Sequence, residues 1–257
     1  MKVGICYPFL KLYKIDNFSF DFIEESVIEF LKPEKPKTFF MRNFYRFKKG
    51  SIPIPVANQL FPKNLKIIGN SDKKIIERYL RIVFERARMI GIKLIVLGSG
   101  RSRSIPQSCS IADCKKEFIS KLKHWGDLAG EYNIKIAVEP LCKRETNFLN
   151  TLEETAELVY KVKHPNVGLT ADLYHMRCEN EPVDVILSAG EIIWHVHVAE
   201  YRNRAAPGYY GEDFTDFFRA LKDIGYNGLI SIEAHWQDSL NEIDYAVSYI
   251  KKQWINA

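Results

Sequence analysis

The sequence has no long apolar segment. None of its hydrophobic runs approaches the roughly 18 residues that a membrane-spanning helix needs. The first residues enter a short strand-like pattern directly, without the longer apolar region and small-residue cleavage site of a secretory signal peptide. These absences predict a cytoplasmic protein with no membrane partner.

Cysteine is also scarce. There are five cysteines, an odd number, and no two of them form a Cys-x-x-Cys pair. We therefore expect reduced thiols, as is usual for a cytoplasmic protein. The five are Cys6, Cys109, Cys114, Cys142 and Cys178.

Short apolar segments alternate with helical patterns along the whole chain. The later segments are nearly continuous apolar runs, which is typical of parallel strands buried on both faces. The eight predicted strands are Lys2–Cys6, Phe20–Glu25, Ile54–Asn58, Ile92–Leu97, Ile134–Glu139, Asn166–Asp172, Ile192–Val198 and Gly228–Glu233. This pattern over 257 residues predicts an α/β fold, a single (β/α)₈ TIM barrel that forms one domain over residues 1–257. An open doubly wound sheet is the alternative, disfavoured because no glycine-rich phosphate-binding turn follows the first strand.

Helix boundaries are marked by local signals. Gly91 and Gly225 each follow a helical pattern, where glycine commonly ends a helix. Thr151 and Glu154 have the spacing of a capping box that opens another helix.

The net positive charge of the chain comes from one segment. Residues 32–49 contain seven basic residues, one acid and five aromatic residues, and the rest of the chain is close to neutral. Such a segment can bind nucleic acid, or it can form an amphipathic helix whose aromatic side chains pack on the domain. We favour the helix. We predict that it borders the barrel mouth or a subunit contact and does not bind nucleic acid.

Four ionisable residues fall at the ends of four successive predicted strands: Glu139, Asp172, His197 and Glu233. The carboxyl ends of the strands of a barrel meet on one rim, where barrel enzymes have their active sites. Three converging carboxylates repel one another unless a cation neutralises them. This donor set suits Mn²⁺, Mg²⁺ or Co²⁺ better than a structural Zn²⁺, which prefers thiolates. The sequence predicts one divalent metal ion, with Mn²⁺ favoured and Zn²⁺ kept as an alternative.

Each of these residues has a plainer interpretation when taken alone. An acid after a strand is often a helix N-cap, and a histidine on an apolar strand is usually part of the core. His195 lies two residues before His197 and points to the same side, so one of the two can be a core residue. Coincidence at all four strand ends is the less probable explanation.

Several motifs resemble those of a known family. The segments Glu139-Pro140-Leu141, Asp172-x-x-His175, His195-x-His197 and Ile232-Glu233 are similar to the xylose isomerase-like TIM barrel superfamily of sugar isomerases and epimerases. Within it they most resemble the D-tagatose and D-psicose ketose 3-epimerases. The resemblance implies a metal-dependent isomerase or epimerase acting on a sugar or sugar phosphate. Proton transfer next to a carbonyl would proceed through a cis-enediolate, as in ketose 3-epimerisation.

The resemblance also implies residue roles. Glu139 and Glu233 would be catalytic, exchanging a proton with carbon, and would bind the metal ion together with Asp172 and His197. His175 and Arg204 would hold substrate hydroxyls, and Glu145 a terminal hydroxyl. The loop after His197 has one residue more than the family pattern, which leaves Arg202 as a rival to Arg204.

Other functions stay open at this stage. A lyase of the inosose dehydratase type could use the same site, and a barrel that binds sugar without catalysis is weakened by the presence of every expected ligand. A DNA repair enzyme like endonuclease IV needs extra histidines in the first half of the barrel, whereas all six histidines lie after residue 120. The oligomeric state is also open, with a homodimer and a homotetramer both considered.

The segment Gly98–Ser104 adds a further possibility. It contains two glycines, three serines, Arg101 and Arg103, at the end of the fourth predicted strand. It could cradle an anion such as a sugar phosphate, or it could be a loop with solvated arginines. The sequence favours neither.

Overall fold

Eight parallel strands close into a barrel in the order of the chain, with β1 pairing both β2 and β8. The computed structural model describes residues 1–12, 18–69, 71–237 and 239–257. The strands are β1 Lys2–Cys6, β2 Phe22–Ser26, β3 Val56–Asn58, β4 Leu94–Leu97, β5 Lys135–Val138, β6 Val167–Asp172, β7 Ile193–Val198 and β8 Leu229–Ile232. The predicted (β/α)₈ barrel is confirmed.

Helices surround the barrel. They are α1 Phe9–Leu12, α2 Lys37–Phe47, α3 Lys73–Ile90, α4 Gly100–Arg103, α5 Ile111–Gly130, α6 Leu152–Val162, α7 Leu173–Cys178, α8 Val185–Ala189, α9 Thr215–Asp223 and α10 Ser239–Asn256. Their apolar faces and the strands form one large buried core. Across the described ranges, no helix is both long enough and apolar enough to cross a membrane.

The predicted strands agree with the observed ones to within two residues at each end. Glu139 and Glu233 lie one residue beyond β5 and β8, while Asp172 is the last residue of β6. The ends that carry the four predicted metal ligands therefore open on the same side of the barrel.

The predicted helix boundaries are largely correct. Gly91 ends α3 in the left-handed region with φ 97°, and Gly225 follows α9 with φ 69°. The Thr151 side chain accepts a hydrogen bond from the backbone N–H of Glu154, 3.1 Å away. The Glu154 carboxylate accepts from the N–H of Asn150, at 3.0 Å, so the capping box is shifted by one residue.

The basic segment 32–49 forms α2 on the outside of the barrel. Phe40 is fully buried on its inner face, whereas Phe39 and Tyr45 are exposed. None of its side chains lines the cavity at the barrel mouth, and the position beside the mouth or at a subunit contact stays a prediction. The amphipathic helix is confirmed, and the absence of nucleic-acid binding stays a prediction.

Two of the five cysteines are paired. Cys109 and Cys114 form a disulfide, with Cα atoms 6.6 Å apart. The expectation of five free thiols is therefore wrong for these two, because the turn into α5 brings together two residues that the sequence spacing does not mark. Cys6, Cys142 and Cys178 are free. The cytoplasmic location stays a prediction.

Candidate active site

The four residues at the strand ends meet in one cluster. Donor atoms of Glu139, Asp172, His197 and Glu233 all lie within 4.8 Å of one another. The three carboxylates surround the Nδ1 atom of His197. This atom lies 2.7 Å from Glu139 Oε1, 3.4 Å from Glu233 Oε2 and 3.8 Å from Asp172 Oδ2. The structure thus brings together the four residues that the strand ends predict.

At the opposite edge of the His197 ring, Nε2 bonds to Glu24, a residue that sequence reasoning missed. Glu24, on β2, accepts from His197 Nε2 at 2.9 Å and from His195 Nε2 at 2.7 Å. Burial would raise the pKa of Glu24, but the two histidines outweigh it and hold the pKa well below its usual value. An ionised carboxylate only accepts hydrogen bonds, so Nε2 carries a proton and Nδ1 faces the other carboxylates.

The cluster favours positive charge at the Nδ1 side of His197. Burial lowers the pKa of this histidine, yet Glu24, Glu233 and Glu139 together raise it well above its usual value. A proton held between carboxylates marks a place where a cation is stabilised. Three carboxylates and one imidazole form a hard, mixed donor set, which fits a divalent ion such as Mn²⁺ or Mg²⁺.

Arg204 reaches into the cluster from the loop after β7. Its Nη2 atom pairs with the Glu233 carboxylate and lies 3.5 Å from Asp172 Oδ2, and its Nη1 atom lies 3.4 Å from Glu145 Oε1. Burial alone would raise the pKa of Glu233, but Arg204 and His197 lower it to about 2. The rival Arg202 instead stacks on the ring of Tyr210, with its guanidinium carbon 4.3 Å from the centroid.

One buried carboxylate shapes the loop that follows β7. Glu200 is fully buried and accepts from four backbone N–H groups, those of Gly208, Tyr210, Gly211 and Glu212, at 2.7–3.2 Å. The loop also returns to the barrel because the N–H of His235 donates to the Arg204 carbonyl at 2.8 Å. The loop that carries Arg204 is therefore held in place by these hydrogen bonds.

His175 and Glu145 lie side by side at the wall of the site. The N–H of Cys142 donates to His175 Nδ1 at 3.1 Å, which leaves Nε2 with the proton when the ring is neutral. Nε2 is buried, 3.9 Å from Glu145 Oε1 and 3.8 Å from Asp172 Oδ2, and has no hydrogen-bond partner among the residues that the structure describes. A buried donor without a partner is uncommon and indicates a place for a ligand oxygen.

A cavity of about 640 Å³ opens above the cluster, within the usual range of small-molecule sites. Besides the cluster it is lined by the segments that follow β3, β4 and β5. Asn58, another residue that sequence reasoning missed, donates to Glu233 Oε1 at 3.3 Å. The lining residues are Ile28, Glu29, Asn58, Gln59, Phe61, Pro62, Lys63, Gly98, Ser99, Gly100, Arg101, Ser102, Glu139, Leu141, Arg144, Glu145, His175, Arg204 and Glu233.

The two arginines after β4 have different environments. Arg101 is exposed at the cavity mouth, whereas Arg103 is fully buried below it. Arg103 Nη1 donates to the carbonyls of Leu97, at 3.1 Å, and Glu139, at 2.7 Å. Arg103 is therefore not available to an anion in the cavity, because its donors hold the ends of β4 and β5 in place.

Replacing Arg103 with methionine is expected to lower the free energy of unfolding by about 2–4 kcal/mol, because buried carbonyls lose their donor. Urea denaturation followed by circular dichroism measures this change. Arg101→Met, an exposed position on the same turn, is the matched control and should change the stability by less than about 0.5 kcal/mol. Equal effects of the two substitutions would contradict a structural role of Arg103.

The fold and the cluster define a class: barrels with a buried acid and histidine centre at the carboxyl ends of the strands. The family model for the xylose isomerase-like TIM barrel matches residues 50–253. The chain therefore belongs to the xylose isomerase-like TIM barrel family.

Individual relatives agree with this assignment. A putative hydroxypyruvate isomerase of Mus musculus is 30% identical over 177 residues, covering 65% of this chain and 62% of that protein. An L-ribulose 3-epimerase of Methylomonas sp. is 30% identical over 156 residues, covering 53% and 54%. The match thus spans less than two thirds of the length of these curated relatives. The crystal structure of D-allulose 3-epimerase from Methylomonas sp. in complex with D-allulose shares the fold, with a TM-score of 0.79, 21% identity and coverage of 98% of this chain and 97% of that chain.

Proposed function

We propose that the protein is a metal-dependent isomerase that moves a proton at the carbon next to the carbonyl of a sugar or sugar phosphate, as a ketose 3-epimerase. One observation carries the proposal. The carboxylates of Glu139 and Glu233 converge with Asp172 on His197 Nδ1 at the base of a cavity of small-molecule size. The names of the relatives, ketose 3-epimerases and putative hydroxypyruvate isomerases, support this chemistry.

Glu139, Asp172, His197 and Glu233 would hold one divalent ion, for which Mn²⁺ is our first choice. When bound, such an ion supplies Lewis acidity that polarises the substrate carbonyl and acidifies the neighbouring C–H. The proton transfer itself would be carried out by side chains of the protein. Glu139 and Glu233 enter from strands three apart in the barrel, so one can take the proton from carbon while the other returns a proton.

The remaining residues position the substrate. His175 has a buried Nε2 donor without a partner, which suits a substrate hydroxyl. Arg204 and Glu145 lie beside it and complete the wall of the cavity. We assign hydroxyl binding to His175 and Arg204, and a terminal hydroxyl to Glu145.

Proton NMR in D₂O tests the proposal. The Mn²⁺-loaded protein is incubated with a panel of ketoses, ketose phosphates, hydroxypyruvate and inososes, and the paramagnetic ion is removed before the spectra are recorded. We expect deuterium at C3 of a ketose, together with its C3 epimer. Deuterium at C1 or C2 would show isomerisation instead, and loss of a β-hydroxyl would show a lyase. No exchange with any of them would contradict the proposal.

Replacing His175 with alanine should mainly weaken substrate binding, because its free Nε2 donor lines the cavity. We expect KM to rise about 10-fold or more, with Mn²⁺ affinity within a factor of about two of the original protein. Steady-state kinetics and calorimetric Mn²⁺ titration measure the two effects. His124→Ala, on the outer face of α5, is the control, and a large loss of Mn²⁺ affinity in His175→Ala would contradict this role.

A further inference from the structure

Three cationic side chains lie together on one side of the cavity mouth. Lys63, Arg101 and Arg144 line the cavity in the segments that follow β3, β4 and β5, which are neighbours in the barrel. All three are exposed. We call them the cationic rim.

The cationic rim has no carboxylate partner among the residues that the structure describes. The carboxylates at the mouth pair elsewhere: Glu29 lies 3.7 Å from Lys32 Nζ, and Glu145 lies 3.4 Å from Arg204 Nη1. The Arg144 guanidinium contacts Cys178 Sγ at 2.6 Å and the Tyr174 hydroxyl at 3.4 Å, neither of which is a carboxylate. In the described ranges, no carboxylate therefore lies within ion-pair distance of these three positive charges, although glutamates line other parts of the cavity.

The two segments that carry Lys63 and Arg101 are tied to each other. The N–H of Phe61 donates to Ser99 Oγ at 2.9 Å, and Lys66 Nζ donates to the Arg101 carbonyl at 2.6 Å. The N–H of Ile67 also donates to the Ser102 carbonyl at 2.9 Å. These hydrogen bonds fix the backbone on either side of Lys63 and Arg101 before a ligand binds, which lowers the conformational entropy lost on binding.

The cationic rim lines the same cavity as Glu139 and Glu233 of the acidic cluster. The cluster draws on β5 to β8 and the rim on the segments after β3 to β5, so the two groups meet at β5 and extend from it in opposite directions around the ring of strands. A ligand in this cavity can therefore contact the carboxylates with one group and the cations of the rim with another.

On the basis of the proposed function, we propose that the natural substrate is an anionic ketose. Its carbonyl end would reach Glu139 and Glu233, and its phosphate or carboxylate group would bind Lys63, Arg101 and Arg144. Arginine and lysine bind such groups through charge-assisted hydrogen bonds, which are stronger than neutral ones. A neutral ketose would leave the cationic rim without a partner.

Competing substrates test this proposal. The kcat/KM for C3 exchange is measured with the Mn²⁺-loaded protein for a neutral ketose, the same ketose with a terminal phosphate, and a ketose with a terminal carboxylate. We expect one of the two anions to exceed the neutral ketose by about 10-fold or more, with a preference that falls as salt is added. A phosphate preference and a carboxylate preference both support the proposal, and they identify which anion is bound.

Substitutions in the cationic rim test whether it binds the anionic group of the substrate. Arg101→Gln and Lys63→Gln should each reduce kcat/KM for the preferred anion about 10-fold more than for the neutral ketose. Arg78→Gln, an exposed arginine on α3 outside the cavity, should leave the ratio unchanged. Equal or better turnover of the neutral ketose, or an unchanged ratio in both rim variants, would overturn the anionic substrate while leaving the epimerase intact. Absence of exchange with all substrates would instead refute the proposed function itself.

Discussion

Replacing Glu139 or Glu233 with glutamine should slow exchange of the substrate C–H with solvent by about 10²–10⁴-fold, the factor that a general acid or base supplies. Glutamine keeps the size and one oxygen of the side chain but loses its basicity. Both carboxylates lie in the same buried cluster, 2.7 and 3.4 Å from His197 Nδ1, so neither has a ready substitute. Deuterium incorporation at C3, followed by NMR with saturating Mn²⁺, gives the rate.

The experiment must distinguish the loss of a basic carboxylate from a loss of bound Mn²⁺. Each variant removes one negative charge from the cluster, so Mn²⁺ affinity should also fall, and occupancy has to be verified at the concentration used. Glu157→Gln, the same change on the outer helix α6, serves as the control and should exchange at the original rate. Near-normal exchange in both Glu139→Gln and Glu233→Gln would show that neither carboxylate is the base, and the epimerase proposal would be withdrawn.

Replacing Glu24 with glutamine is expected to weaken Mn²⁺ binding by about 10–100-fold, the usual effect of losing the partner of a ligating histidine. The carboxylate fixes the His197 ring through Nε2, at 2.9 Å, and thereby directs Nδ1 toward Glu139, Asp172 and Glu233. An amide at this position accepts through one oxygen only, and its NH₂ group cannot accept from the second histidine. Calorimetric titration with Mn²⁺ measures the affinity.

The neighbouring Glu25 offers a matched control. It is also buried on β2, but its carboxylate accepts from the N–H groups of Phe9, at 2.5 Å, and Ser26, at 2.9 Å, away from the histidines. Burial raises its pKa to about 8. Because Glu25 does not hold either histidine, Glu25→Gln should bind Mn²⁺ like the original protein. A Glu24→Gln variant with unchanged affinity would show that His197 does not need its carboxylate partner.

The strand ends could be predicted from sequence because every strand of a parallel barrel is an apolar run, and all strands end on the same rim. Glu139, Asp172, His197 and Glu233 follow from that geometry alone. The sequence does not decide between Arg204 and Arg202, because loop residues follow no such period. The structure separates the two by placing one guanidinium on Glu233 and the other on Tyr210.

Glu24 and Arg103 could not be found in the same way. Glu24 and Glu25 are adjacent, and alternation sends one into the barrel and the other outward, but a two-residue acidic pair does not reveal which is which. Arg103 follows a turn of glycines and serines that resembles a solvated loop. Its burial depends on carbonyls of Leu97 and Glu139, which only the folded barrel brings together.

The loop after β7 has a consequence for how this protein could diversify. Its path is set by backbone N–H groups gathered on the single carboxylate of Glu200, with Gly208 and Gly211 at positive φ. Every residue type except proline has a backbone N–H, so the side chains of Tyr209 and Tyr210 can be exchanged for others except proline without redirecting Arg204. Random mutagenesis of this loop, with Glu200 and the two glycines held constant, is therefore a route to altered substrate range in a protein that keeps its cluster of Glu139, Asp172, His197 and Glu233.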